Sequence, residues 1–335
     1  MNTTLKLAGI LALLLPLSLT AADNHNQSYD WVTAGNVSGS LQVDVKDDGS
    51  REASFEFNDR GRGPKLQERS QVDGQGLLVA VEITGHAYMG APVNERFHAD
   101  GNNLTWSSTL ENGQAEAGAY YWPSEGTPEQ IALLARALLQ SGSGRLPLLP
   151  AGEASINKVA EHAINGDSSR NAVLYAITGL GFTPEYVWLD SANELLALTY
   201  GWMGLAPGGQ AGILPELQAV QDQADAERSK NLAAELAMPL PDKWILRNVN
   251  VVNVVTGTTE PGRMVAVEDG QISGIWLDSD VVAEFELKGY ENLDGEGGYL
   301  IPGLWDMHTH LSLEDGLLQV AAGVTTVRDL ANDEQ

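Results

Sequence analysis

The sequence contains no cysteine among its 335 residues, and this absence excludes several kinds of structure and site. No disulfide can form, so the stability of the fold must come from packing, hydrogen bonds and ion pairs. No thiolate can bind a metal either. Any metal site must therefore take its ligands from histidine, carboxylate or water.

Basic residues are scarce. The 19 lysines and arginines stand against 45 aspartates and glutamates, and the formal net charge at pH 7 is -26. A chain of this charge repels nucleic acid and anionic lipid, and we expect neither as a partner. The simplest interpretation of the charge is a well-hydrated surface.

Long apolar runs are absent after the first 22 residues. Before that point, Lys6 precedes an apolar stretch from Leu7 to Leu19, and Thr20-Ala21-Ala22 offers a small-residue cleavage site. This pattern predicts a signal peptide over residues 1–22 and a periplasmic or secreted protein. The stretch is short for a bilayer span, with an uncleaved anchor as the alternative, and no later segment is a candidate span.

Alternating apolar and polar residues dominate the region from 23 to 125. Leu41–Val45 and Ala53–Phe57 are two such segments, and Gly, Asn and Asp separate them from their neighbours. This pattern predicts an antiparallel sheet built from hairpins.

Residues 126–240 change character and predict a helical and mixed region. Thr127-Pro128 marks a helix start, and Pro215 opens a polar helix that runs to about residue 237. Between these helices, residues 185–200 read as one hairpin.

Short strands return over residues 241–299, where Asp269-Gly270 is a tight-turn signal. From residue 300 onward the pattern is a strand, a short helix that Ser312 can cap, and a second β-branched strand, Val324–Asp329. This order predicts a β-α-β unit with parallel strands.

Two histidines, His308 and His310, close the first of these two strands. Side chains alternate along a strand, so both imidazoles lie on one face while Thr309 lies on the other. Their spacing lets two neutral imidazoles reach one divalent cation, each through a metal–nitrogen bond of about 2.0–2.1 Å.

These residues resemble the metal-dependent amidohydrolase superfamily, in particular its imidazolonepropionase- and prolidase-like branch. The resemblance is carried by Ile301–His310 (IPGLWDMHTH) and Gly323–Asp329 (GVTTVRD), with Ile245–Val249 and Val267–Ile272 upstream. It implies a mixed α/β multidomain chain with a small β-sandwich over residues 241–299 and the first two strands of an incomplete (β/α)8 TIM barrel over residues 300–335.

The resemblance also implies a chemistry. His308 and His310 would bind one or two divalent ions, usually zinc, which activate water for attack on an amide, cyclic amide or dipeptide bond. Asp306, Arg328 and Asp329 are candidates for supporting the ligands or contacting the substrate. A purely structural role, such as an ion pair between Arg328 and Asp329, stays open for them. Trp305 and Met307 are expected to be core residues.

One departure from the family pattern limits this hypothesis. After His310 the sequence contains no further histidine and no lysine, whereas the family site needs a bridging lysine or carboxylate, two more histidines and a general-base aspartate. We therefore expect the chain to be the N-terminal portion of an enzyme, inactive alone, with its general base beyond residue 335. The alternative is a periplasmic ligand-binding or interaction module with a concave apolar face on the N-terminal sheet and a vestigial barrel remnant.

Overall fold

The computed structural model describes residues 25–164, 170–279, 288–311 and 315–330. They belong to two compact units, which divide between Gln221 and Asp222. The predicted signal peptide and the predicted cap at Ser312 lie outside the described residues. In the part of the chain that is described, no helix combines the length and the apolar character needed to cross a bilayer.

The first unit contains one sheet of fifteen strands and a helix, α1, between the ninth and tenth strands. In chain order these elements are β1 (His25–Thr33), β2 (Asn36–Val45), β3 (Arg51–Phe57), β4 (Lys65–Val72), β5 (Leu78–His86), β6 (Pro92–Asp100), β7 (Asn103–Ser107), β8 (Asn112–Glu116), β9 (Tyr120–Tyr121), α1 (Glu129–Gln140), β10 (Arg145–Leu149), β11 (Glu153–Ala163), β12 (Asn171–Thr178), β13 (Glu185–Leu189), β14 (Leu195–Tyr200) and β15 (Met203–Pro207).

The order of the strands across the sheet is set by β1. From β1 the sheet runs through β2 to β8 on one side, and through β15 down to β9 on the other. Neighbouring strands are antiparallel, except that β9 and β10 are parallel. Inward and outward residues alternate along strands such as β4, where Leu66, Glu68 and Ser70 are buried between exposed neighbours. The N-terminal antiparallel sheet is therefore confirmed.

Helix α1 is buried on every side. Seven of its apolar residues are buried, and Glu129 and Gln130 in its first turn are buried as well. A helix in contact with solvent keeps one polar face, so a helix without one must be enclosed by other elements. Its neighbours in the main core come from both halves of the sheet, which therefore wraps around α1.

Two buried glutamates on the inner face of the sheet bind the backbone that leads into α1. Glu68 accepts hydrogen bonds from the Thr127 N–H at 2.9 Å and from the Gln130 side-chain amide at 2.7 Å. Glu95 accepts hydrogen bonds from the Ser124 N–H at 2.8 Å and from the Tyr121 hydroxyl at 2.6 Å. N–H groups at the start of a helix have no partner within the helix. The two buried carboxylates therefore accept hydrogen bonds from N–H groups of the segment that leads into α1.

A third buried carboxylate, Glu129, is neutralised by two arginines. Arg51 lies 2.7 Å and Arg136 lies 2.5 Å from its Oε1 atom, and both arginines also contact Glu194 at 3.2 Å. This cluster joins α1 to β3 and to the turn before β14. A buried charge needs such partners because desolvation would otherwise be costly.

The prediction of a helical and mixed region over residues 126–240 was wrong in its main part. The region does contain α1 and a second helix, α2 (Leu214–Leu236), close to the predicted positions. The hairpin of β13 and β14 is confirmed. However, β10 to β15 are six strands that continue the N-terminal sheet. Strands such as β14 are buried on both faces, so they lack the alternation that signals a strand.

The second unit contains a five-stranded mixed sheet and a separate β-α-β unit. The Asp269-Gly270 hairpin turn between the second and third strands of the sheet is confirmed, because both residues have positive φ angles. The elements are β16 (Lys243–Asn253), β17 (Thr258–Glu268), β18 (Gln271–Leu277), β19 (Glu291–Asp294), β20 (Tyr299–Leu300), β21 (Leu304–Thr309), α3 (Asp315–Ala321) and β22 (Val324–Asp329).

The fold class expected from the family resemblance was also wrong. The described chain is mostly β-sheet with three α-helices, and its largest element is the fifteen-stranded sheet. Among the described residues, β16 to β20 form one sheet and no second layer that would make a sandwich. The parallel pairing of β21 with β22 is confirmed, but these two strands form no barrel. The resemblance is carried by short local segments, which do not fix how strands assemble.

We predict that Glu68→Gln raises the free energy of unfolding at neutral and higher pH. Burial raises the pKa of Glu68 from 4.5 to about 7. Between these values the folded protein holds a proton that the unfolded chain has released, so the contribution of Glu68 to stability falls by about 3 kcal/mol as the pH rises through this window. Glutamine stays neutral, so the variant lacks this loss.

Urea unfolding at about pH 5 and about pH 8 measures the difference. Glu116→Gln, on an exposed position of β8, is the matched control and should leave the pH dependence unchanged. An unchanged pH dependence in Glu68→Gln would contradict the prediction.

We also predict that Glu129→Gln lowers the free energy of unfolding by about 3 kcal/mol or more, because it leaves Arg51 and Arg136 with only Glu194 between them and so one buried positive charge unmatched. Glu153→Gln breaks an exposed ion pair with Arg145 and should cost about 1 kcal/mol at most. Chemical denaturation of both variants provides the test. Equal losses would show that the buried cluster contributes no more than a surface pair.

Candidate functional site

The structure brings the imidazoles of His308 and His310 together. His308 lies near the end of β21 in the second unit, and His310 is the first residue after that strand. Their Nε2 atoms are 3.3 Å apart. Their rings are stacked with centroids 5.4 Å apart, and both side chains are exposed. Thr309 between them is buried, as the alternation of a strand requires.

The separation of the two nitrogen atoms matches a tetrahedral metal site. Two ligands at about 2.0–2.1 Å from one ion, seen at the tetrahedral angle, are about 3.3–3.4 Å apart. The observed distance between His308 Nε2 and His310 Nε2 is 3.3 Å. The pair therefore fits the binding of one tetrahedral cation such as zinc through two Nε2 atoms.

The same distance also suits a direct hydrogen bond between the rings. If one imidazole carries its proton on Nε2, it donates to the other ring. If both rings carry the proton on Nδ1, two lone pairs face each other and a cation between them relieves the repulsion. The tautomer thus separates a structural pair of histidines from a ligand pair.

Two carboxylates hold the backbone around the histidines. The Asp306 Oδ1 atom accepts a hydrogen bond from the His308 N–H at 3.0 Å. From β22, the Asp329 Oδ2 atom accepts one from the Leu311 N–H at 3.3 Å. Both aspartates therefore position the chain that carries the imidazoles. The Asp306 contact spans two residues and is a local pattern that the sequence could have indicated.

The remaining candidates lie on β22, the strand that pairs with β21. Arg328 on β22 is exposed, and Asp329 is half-buried. Within the described ranges, no group of three or more histidine, aspartate or glutamate side chains is placed to hold a metal ion. The structure thus gathers His308 and His310 as potential ligands, without Asp306 or Asp329 as a third.

The expectation that Trp305 and Met307 are core residues was wrong. Trp305 is 69% exposed and Met307 is 52% exposed. They lie on the face of β21 opposite the histidines, and helix α3 has no buried residue. In the described part of the chain, this β-α-β unit therefore leaves one apolar face uncovered.

The binding-module alternative needed an open apolar face on the N-terminal sheet. The inner apolar face of that sheet is in contact with α1, which fills the space the sheet surrounds. Among the isolated histidines of the first unit, His162 lies 3.5 Å from the carboxylate of Glu216.

Comparison with known proteins gives a match to part of the chain. No protein-family model matches it. The imidazolonepropionase of Anaeromyxobacter dehalogenans (strain 2CP-C) is 39% identical over 71 residues, and that of Anaeromyxobacter sp. (strain K) is 38% identical over 71 residues. The match covers 20% of this chain and 17% of each relative, so the chain spans less than a fifth of the length of these relatives. A short segment is therefore similar to enzymes of the amidohydrolase superfamily.

Two solved structures show a distant likeness. A β-barrel-like protein of the DUF1849 family from Brucella abortus has a TM-score of 0.36 and 10% identity, and covers 55% of this chain and 94% of its own. A DUF1089 family protein from Pseudomonas aeruginosa has a TM-score of 0.31 and 16% identity, with coverages of 58% and 98%. At these TM-scores the likeness assigns no fold.

We predict that Trp305→Ser changes the free energy of unfolding by less than about 0.5 kcal/mol, because the side chain is exposed. Ile245→Ala in the sheet of the same unit removes a buried side chain and should cost about 2–5 kcal/mol. Urea unfolding followed by circular dichroism compares the two. A loss for Trp305→Ser as large as that for Ile245→Ala would mean that Trp305 is a core residue after all.

Proposed function

We propose that the protein is a metal-dependent hydrolase of carbon–nitrogen bonds, with an amide, cyclic amide or dipeptide as its substrate. The short similarity to imidazolonepropionases supports the class of reaction. The separation of 3.3 Å between the Nε2 atoms of His308 and His310 supports the metal, and it is the observation that carries the proposal. The apolar N-terminal segment supports export to the periplasm or the medium.

In this proposal each residue has a defined task. His308 and His310 hold the ion through Nε2, while Asp306 and Asp329 fix the backbone on either side of them. When bound, a divalent metal such as zinc supplies Lewis-acid activation of water and of the scissile carbonyl. Arg328, exposed on the neighbouring strand, is available to contact an anionic group of the substrate.

The described residues supply only part of such a site. Catalytic zinc sites usually have three protein ligands, and the described residues bring two into reach of one ion. The third ligand and the general base therefore come, in this proposal, from outside the described residues.

Zinc titration of the protein tests the proposal. We expect one zinc ion to bind, and we expect His308→Ala/His310→Ala to abolish this binding because both Nε2 ligands are gone. His86→Ala/His98→Ala is the matched control: it also removes two imidazoles, but from separate positions on the first unit, and should bind zinc as the unaltered protein does. Asp329→Ala removes the acceptor for the Leu311 N–H and should weaken zinc binding by about tenfold or more, as loss of a supporting contact does in other metal sites.

Cobalt substitution adds a spectroscopic readout, because four-coordinate cobalt absorbs visible light strongly. Hydrolysis of a panel of amides, cyclic amides and dipeptides is then measured on the protein as its gene encodes it. Zinc binding that survives the loss of both His308 and His310 would falsify the assignment of the site. Zinc binding without hydrolysis of any member of the panel would overturn the proposed reaction while leaving the metal site intact.

A further inference from the structure

Exposed apolar side chains of the first unit are concentrated at one end of its sheet. Because the strands are antiparallel, the turns that follow β1, β3, β5, β7, β12 and β14 all lie at the same end. Of the seven large apolar residues that are exposed in the described part of this unit, only Val159 lies elsewhere. The other six define what we call the apolar end: Val37, Met89, Leu110, Phe182, Tyr200 and Trp202.

Four of these turns contact one another and form a continuous surface. The Ala34 N–H donates a hydrogen bond to the Trp202 carbonyl at 2.7 Å, and Arg60 lies over the Trp202 ring at 5.8 Å. The Gly63 N–H donates to the Tyr88 carbonyl at 3.1 Å. Apolar side chains on the tips of these turns are therefore held side by side.

The β3–β4 turn of the apolar end is locally basic, against the balance of the chain. Arg60, Arg62 and Lys65 fall within six residues, although the whole sequence has only 19 basic residues, and Lys65 pairs with Glu56 at 2.8 Å. Asp59 is buried and contacts both arginines, which leaves Arg60 72% and Arg62 45% exposed at the side chain. Sequence analysis missed this cluster because the net charge of the chain conceals it.

A groove of about 530 Å³ opens beside these arginines. Arg62, Lys65 and His86 contribute its basic lining, and Tyr88 and Met89 contribute its apolar lining. Glu56 also lines the groove and pairs with Lys65, so Arg62 is its main source of positive charge. Tyr88 is fixed there by a hydrogen bond from its hydroxyl to Asp59. The groove thus offers cationic donors next to an apolar wall, which is the arrangement that a phospholipid headgroup and its first methylene groups require.

We propose that the apolar end docks on the surface of a bilayer that contains anionic phospholipid. Apolar tips on separate turns enter the interface, aromatic residues such as Trp202 lie at headgroup depth, and the arginines pair with lipid phosphates. The net charge of -26 helps to orient the protein on the bilayer, because the acidic remainder of the chain is repelled by the same anionic surface. This proposal departs from the expectation, drawn from net charge alone, that anionic lipid is not a partner, and it is independent of the proposed reaction.

A single introduced cysteine tests the orientation, because the natural sequence has none. Met89→Cys places a nitroxide or an environment-sensitive dye at the apolar end, and Gln75→Cys places it on the exposed β4–β5 turn at the opposite end of the same sheet. With vesicles of phosphatidylcholine and about one third phosphatidylglycerol, we expect only the Met89 label to enter the apolar phase.

The control position also detects another route of attachment. Strand β1 begins at the same end of the sheet as Gln75. Binding through the apolar residues that precede β1 would therefore bring Gln75 toward the bilayer, and this outcome would overturn the proposal. Labels that remain in water at both positions would overturn it too, and would leave a soluble partner or a second copy of the chain as the occupant.

Charge variants test the electrostatic part by vesicle sedimentation. Arg60→Gln/Arg62→Gln should weaken binding by about tenfold to thirtyfold, and added salt should weaken binding of the unaltered protein. Arg69→Gln/Arg96→Gln removes two exposed, ion-paired arginines from the wall of the same sheet and should leave binding unchanged. Equal effects of the two pairs would mean that only overall charge matters, which contradicts a defined docking end. The labelled variants keep all arginines, so they test docking even if Arg60→Gln/Arg62→Gln folds poorly.

Discussion

The complete burial of helix α1 is the constraint on which the first unit depends. A helix with no solvent-facing side needs apolar neighbours all round, and the sheet supplies them by wrapping both of its halves around α1. It also needs partners for the donors at its start and for the charge of Glu129. Glu68, Glu95 and Arg51 provide these from strands of the sheet, and Arg136 adds a second positive charge from α1 itself. The position and register of several strands are thereby tied to one helix, since Glu68, Glu95 and Arg51 each join a strand to α1 or to the segment that leads into it.

Enclosure of the helix also determines where the first unit can interact with other molecules. Because α1 occupies the interior, a ligand cannot enter along the inner apolar face without displacing it. Only the outer wall and the two ends of the sheet remain in contact with solvent. Along β2 to β5 the outer wall is lined by polar and charged residues, and along β12 to β15 it is covered by an apolar cluster that includes Leu214 and Leu217 of α2. One end of the sheet, by contrast, gathers the exposed apolar tips and the arginines. The packing of the core thus directs any interaction of this unit toward its ends.

Local features of both units were predictable from the sequence, and long-range assembly was not. The alternation in Leu41–Val45, the Asp269-Gly270 turn and the His308–His310 spacing all depend on neighbours in sequence, and each has the expected local geometry. Residues 126–240 were misread because strands buried on both faces show no alternation. The contact from Asp329 to Leu311 depends on the register of two strands, which no local pattern specifies. The same limit explains why the sandwich and the barrel were predicted wrongly.

The histidine pair and the apolar face behind it are incomplete in related ways. In the described residues, β21 and β22 pair only with each other, so each strand has a free edge. His308 and His310, the two ligands of the proposed metal site, lie on one face of this small sheet, while Trp305 and Met307 remain exposed on the other. Further strands along a free edge would bring additional side chains to the first face and would extend the surface against which helices pack on the second. In the proposed function, any strand that paired with a free edge would therefore help to complete the metal site and to bury the apolar face at the same time.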